Sequence, residues 1–159
     1  MSGSQVTVRH FTPADIPAFR DLNLAWIERY FEVETKDRQM LDDPDSHIAA
    51  KGGRILLADL DGETVGTVAL IPMAELGVIE LAKMAVREGL RGHGIGQALM
   101  AAAKIEAQAM GGEQIWIETH NSLETAMNLY LKSGFRLLEA DEWSPTPYSR
   151  CNTQLILKL

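Results

Sequence analysis

The stretch from residue 78 to residue 119 constrains the fold more than any other part of this 159-residue chain. Residues 78–86 (Val-Ile-Glu-Leu-Ala-Lys-Met-Ala-Val) read as a strand, apolar enough to be central. A glycine-rich turn follows, and then a long helix is predicted from about Gly94 to Met110. Its apolar positions are Ile95, Ala98, Leu99, Ala102, Ile105 and Ala109, and Gly111-Gly112 stops it. Residues 114–119 predict the next strand. Strand, glycine turn, long helix and strand in succession commit the chain to an α/β architecture.

The flanking segments fill in the order of elements. Residues 6–10 alternate like a short strand. Thr12-Pro13-Ala14-Asp15 is a helix start, with a capping residue, a proline suited to the first helical position, and an acid at the positive end of the dipole. Ile16, Phe19, Leu22, Trp26 and Tyr30 follow at helical spacing. Residues 37–50 predict a second short helix, broken near Pro44. Residues 54–71 predict a hairpin turning on Asp61-Gly62. Residues 122–132 predict a helix ended by Ser133-Gly134. Two strands are expected at about 135–140 and 151–159, joined by a loop containing Pro145 and Pro147. The order is β-α-α-β-β-β-α-β-α-β-β, a central mixed, twisted sheet flanked by helices. No repeat, low-complexity tract or linker interrupts it, so residues 1–159 are expected to form one domain.

Composition excludes several classes. Apolar residues make up 46% and charged residues 23%, an ordinary globular balance. The one cysteine, Cys151, rules out a disulfide within the chain. His10, His47, His93 and His120 are scattered and lack zinc-site spacing, so no metal is expected. No apolar run approaches membrane-spanning length, and the first residues lack the features of a signal peptide. The expected location is therefore the cytoplasm, with no membrane partner. A net charge of -7 argues against a nucleic-acid partner. Residues 1–80 hold 7 Lys+Arg and 14 Asp+Glu, a net of -7, while residues 81–159 hold 8 and 8. That acidic half reads either as a solvated face or as a surface that draws a cationic ligand.

The segment from Glu88 to Gly96 carries the most chemistry. Glycines at a helix start let a ligand approach the backbone, and the unpaired N–H groups there attract anions. Arg87, Arg91 and His93 add local positive charge, a combination suited to a pyrophosphate. A dinucleotide fingerprint fails at Gln97, where a third glycine is needed. A P-loop fails at Gly96-Gln97-Ala98.

Arg91-Gly92-His93-Gly94-Ile95-Gly96 after an apolar strand resembles the acetyl-CoA signature Gln/Arg-x-x-Gly-x-Gly/Ala of the GNAT acyltransferases. A second stretch resembles that family's second signature through Asn121, Ala126, Tyr130, Lys132 and Gly134-Phe135. The resemblance covers nearly the whole chain, is strongest over residues 80–135, and extends to the element order of the GNAT fold. It implies acetyl-CoA as donor and direct transfer to an amine. It implies that strand 78–86 splays from strand 114–119, and that the pantetheine arm pairs with the backbone around Met84, Ala85 and Val86. The pyrophosphate would rest on Arg91, Gly92, His93, Gly94, Ile95 and Gly96. Asn121 would touch the cofactor, and Tyr130 would face the sulfur and protonate the leaving thiolate. Tyr130 also lies on the apolar stripe of its helix, which equally fits a core aromatic.

The thioester is already activated, so the protein's task is orientation and handling of the acceptor's proton. Neutralising a lysine-like amine at pH 7 costs roughly 4–5 kcal/mol. Glu80, at the start of the strand leading to the glycine turn, is the candidate base. Glu118 and His120 on the neighbouring strand, or water, are alternatives. Glu80 also fits a structural carboxylate. Lys83, odd within an apolar strand, either snorkels to an edge or meets the cofactor. The resemblance brings the N-terminal helices to the acceptor pocket, and with them Trp26, Glu28 and Tyr30, alongside Glu118 and His120. The acceptor is expected to be a small-molecule amine, and a homodimer is compatible with the sequence. The alternatives are a protein lysine or N-terminus, or a non-catalytic acyl-CoA-binding module of the same fold. Glu28, Glu32, Glu34, Asp37, Asp42, Asp43 and Asp45 would favour polyamine-like or lysine-like acceptors.

Overall fold

A computed structural model describes residues 5–90 and 92–159. The hairpin forms where Asp61-Gly62 requires it. Strands β2 (Arg54–Leu60) and β3 (Glu63–Pro72) join through these two residues, which have φ of 52° and 80°. Two successive positive φ values make the turn whose twist matches paired strands. Strand β1 (Val6–His10) pairs antiparallel with β2 on one side, and β4 (Val78–Val86) pairs antiparallel with β3 on the other. Strands β5 (Gln114–Thr119), β6 (Arg136–Leu137) and β7 (Thr153–Lys158) complete a seven-stranded sheet of order β1-β2-β3-β4-β5-β7-β6. Every pairing is antiparallel except β4 with β5, so the sheet is mixed, as its sequence pattern predicts.

Helices cover both faces. Helices α1 (Ile16–Tyr30) and α2 (Thr35–Asp42) lie on one face, over a core of Phe19, Ile27, Met40, Leu41, Ile55, Leu57 and Ile71. The short α3 (Pro44–His47) starts at the proline, and the Asp43 carboxylate caps it by accepting from the Ser46 N–H at 3.2 Å. Helices α4 (Ile95–Ala109) and α5 (Glu124–Lys132) cover the other face with Leu99, Met100, Ala103 and Tyr130.

Four expectations shift. Thr12-Pro13-Ala14-Asp15 does start a helical segment, but as a 3-10 turn that hands over to α1 at Ile16. The buried stripe of α1 is Phe19, Asn23 and Ile27, so Tyr30 lies outside it and is 54% exposed. On α4 the stripe runs Ile95, Leu99, Ala103 and Ala107 at four-residue steps, leaving Ile105 at the surface. The strand expected at 135–140 shrinks to Arg136–Leu137. Glu139 starts a 3-10 turn there, its N–H donating to the Glu142 carboxylate at 3.0 Å.

Two irregularities of β4 shape the cavity and the gap beside it. Its parallel pairing with β5 spans only Val78↔Gln114, Ile79↔Ile115 and Glu80↔Trp116, so the strands part beyond Glu80. On its other side, Thr67 faces Ala85 and Ala69 faces Ala82, so Lys83 and Met84 together oppose Val68 in a β-bulge. Lys83 has φ of 52°, a left-handed conformation that costs an L-residue about 1–2 kcal/mol.

Candidate active site

Strand alternation sends neighbouring side chains to opposite faces. Ile79, Leu81, Ile115 and Ile117 join the core under α4 and α5, together with Tyr130. Glu80, Trp116 and Glu118 point the other way, into a cavity of about 230 Å³. Ile71, Met40, Tyr148, Pro145, Lys36 and Lys51 also line it. Glu80 and Tyr130 thus stand on opposite faces of the sheet, and the pairing of β4 with β5 stops at Glu80.

Glu80 is the titratable centre of this cavity. Burial, and then the charge of Glu118, push its carboxyl up to about 7. Burial also raises Glu118, although the Thr146 hydroxyl donates to its carboxylate at 2.7 Å and opposes the shift. Tyr130 packs on Phe135 with ring centroids 5.9 Å apart, and burial pushes its phenol up to about 12. Its hydroxyl bonds to no described residue, and the side chain is buried. Tyr130 is a core aromatic, as the apolar stripe of its helix predicts.

The donor side is built from backbone. Met84, Ala85 and Val86 lie on the stretch of β4 that has left β5. Gly92 and Gly94 have φ of 85° and 72°, and Gly94 is the N-cap of α4 with no side chain capping it. The first helical bond runs from Ala98 N–H to the Gly94 carbonyl, leaving the N–H groups of Ile95, Gly96 and Gln97 free of helical partners. The Ile95 side chain is core. Gly96 has a packing reason to be glycine, because a Cβ there would meet Leu129 of α5 at 3.3 Å. His93 is exposed, and Arg91 lies outside the described residues. Arg87 is engaged with Glu63 at 2.7 Å and with the Thr64 carbonyl.

Several expected acceptor residues stand elsewhere. Trp26, Glu28 and Tyr30 do not line the cavity. Trp26 borders a separate groove with Asp21, Arg87 and Glu88, Glu28 is exposed, and the Tyr30 ring stacks under Arg29. The buried stripe of α1 leaves Glu28 and Tyr30 exposed, while Trp26 is half-buried against the core edge. His120 is also off the cavity. Its Nδ1 accepts from the Ser122 N–H at 3.1 Å, and its ring packs on Phe31. Asn121 bonds with Asn152 through backbone and side chain, at 2.9 and 3.1 Å. Much of the acidic half is used internally: Asp15 and Asp59 bind Arg9, Glu34 binds Arg150, and Asp43 caps α3.

Sequence reasoning missed the cluster beside the cavity. The bulge turns Lys83 to the α2 face, where its Nζ donates to Asp37 at 2.5 Å and to the Tyr148 hydroxyl at 3.0 Å. Arg150 clamps the same Asp37 with two bonds of 2.7 Å and stacks on the Tyr148 ring. Lys83 neither snorkels nor faces the donor side. Burial alone would raise Asp37, but Arg150 and Lys83 outweigh it and hold the carboxyl at about 2. A lysine inside an apolar strand was the one available signal.

The family model for the Acetyltransferase (GNAT) family matches residues 19–135, and the chain belongs to that family. Its members are acyltransferases that use acetyl-CoA. A mycothiol acetyltransferase of Streptomyces avermitilis is 30% identical over 139 residues, 86% of this chain and 44% of that relative's length. The chain thus spans less than half of that relative. A GNAT-family acetyltransferase from Staphylococcus aureus Mu50 superposes with a TM-score of 0.86 at 19% identity, covering 96% of this chain and 98% of that one. N-acetylglutamate synthase from Neisseria gonorrhoeae, solved with coenzyme A and N-acetyl-glutamate, gives 0.74 at 20% identity, covering 99% and 36%. These two structural likenesses bear on the fold.

Proposed function

We propose that residues 1–159 form one catalytic domain. It transfers an acetyl group from acetyl-CoA to the primary amine of a small-molecule acceptor, by direct attack on the thioester. The observation that carries this reading is the end of β4–β5 pairing at Glu80, with that carboxyl raised to about 7 in the cavity on one face and Tyr130 in the core on the other. The donor side fits acetyl-CoA in chemistry as well as shape. Three N–H groups without helical partners, at a helix start with no side-chain cap, suit a pyrophosphate, and a strand edge that has left its parallel neighbour suits the amides of a pantetheine arm. Bound there, acetyl-CoA supplies an activated acetyl thioester.

The chain's own residues do the rest. Met84, Ala85 and Val86 offer backbone groups along the gap, and Gly92, His93, Gly94, Ile95 and Gly96 form the anion cradle, with Arg91 beside it. Glu80 accepts the acceptor's proton, since a base titrating near neutrality combines availability with driving force. Glu118 keeps it there by raising its pKa. Tyr130 holds the proton destined for the departing sulfur.

Release of free thiol from acetyl-CoA, measured against a panel of amines, tests the reading. Amine-dependent release is expected, with kcat falling about ten- to a thousandfold in Tyr130→Phe at similar acetyl-CoA affinity. Binding of acetyl-CoA with no amine-dependent release would make the chain an acyl-CoA-binding module instead.

A further inference from the structure

Two lysines line the acceptor cavity without a carboxylate partner. Lys36 lies in the first turn of α2, and Lys51 ends the 3-10 turn Ala49–Lys51. Among the described residues neither forms an ion pair. The nearby acids Glu34 and Asp37 are taken by Arg150, and Asp43 by the start of α3. The two ammonium groups lie close enough to act directly on each other. Burial, and then Lys51, push the Lys36 amine below its ordinary value, while Glu80 pulls it back. The position of Lys36 works against its own helix as well, because a cation in the first turn meets the positive end of the dipole. Glu80 offsets part of this repulsion, but no carboxylate forms an ion pair with either lysine among the described residues. A bound anion would relieve the rest.

The same cavity carries the opposite charge at Glu80 and Glu118. Its volume of about 230 Å³ is below the range of roughly 300–1,000 Å³ typical of drug-sized ligands. We propose that the acceptor is a small amino-acid-like molecule, its carboxylate held by Lys36 and Lys51 and its amine directed to Glu80 and Glu118. This rests on the acetyl-transfer reading of the same site and replaces the polyamine-like acceptor expected from the acidic half.

The test compares free α-amino acids with their C-terminal amides in the thiol-release assay. The amide has the less basic and so more available amine, so intrinsic reactivity runs against the proposal. The best amino acid is nevertheless expected to exceed its amide in kcat/KM by at least about tenfold. Lys36→Met and Lys51→Met should each bring that ratio toward one through a higher KM, and Lys36→Arg should keep it. Equal rates for acid and amide, or a ratio untouched by both Met variants, would overturn the proposal. So would a long peptide, its carboxylate far from its amine, that matches the best amino acid. Calorimetric titration of the same amino acids into the protein with coenzyme A separates the two readings. If no amine is acetylated, the transfer reading fails. Amino-acid binding weakened by both Met variants would still uphold the carboxylate site, and binding that is absent or indifferent to them would remove it.

Discussion

Glu80 and Glu118 share one cavity, and the charge of Glu118 makes ionisation of Glu80 harder. For a base this coupling sets the working pH. The proton-accepting form of Glu80 is the carboxylate, so kcat/KM should rise with pH through a limb near 7. Glu118→Gln keeps an oxygen for the Thr146 hydroxyl and removes one negative charge from beside Glu80. The limb should then move to lower pH. Glu80→Gln should erase the limb and lower the rate by roughly 10²–10⁴-fold. The check is a pH–rate profile of all three proteins. A limb that stays in place in Glu118→Gln would belong to some other group.

At the scale of elements, the buried charges around Asp37 tie α2 to the bulge of β4 and to the loop before β7. Asp37→Asn leaves Lys83 and Arg150 facing each other without the carboxylate between them. Breaking one partner out of a buried ion cluster typically costs about 3–5 kcal/mol, which urea denaturation would measure. A loss within experimental error would mean that water already screens the cluster. The sign with pH follows from a depressed carboxyl. Asp37 contributes its stability fully above its ordinary value of 3.8, and loses it as pH falls toward about 2. None of this was legible beforehand. Asp37 meets Lys83 across 46 residues and Arg150 across 113, and no periodic pattern reaches that far. The bulge defeats alternation at the one position where the face mattered. The Asp61-Gly62 hairpin and the strand–glycine–helix unit were legible, because turn chemistry and helix stops act within a few residues. Glu80 and Glu118 could be picked out as carboxylates on two strands. The cations of their cavity, on α2 and on the 3-10 turn after α3, could not.

For the whole molecule, the sheet consists of two antiparallel blocks, β1–β4 and β5–β7, joined by three parallel residue pairs. The open seam above those pairs is where a coenzyme A backbone ladder would add protection. Hydrogen exchange with and without coenzyme A should slow the amides of residues 81–86 and of Ile95–Gln97, and leave the β2–β3 hairpin unchanged. Slowing confined to the hairpin would mean that the donor binds elsewhere.

The opposed faces of Glu80 and Tyr130 give the proposed reaction a direction for its protons. An ammonium acceptor sheds two protons in becoming an amide, and the departing sulfur takes up one. With the base on the cavity side and the acid on the α5 side, the two flows need no shared relay. Protons drain from one side of the sheet and are replenished from the other, and each turnover leaves a net release of one. The sheet thus sets the proposed removal and supply of protons on separate faces.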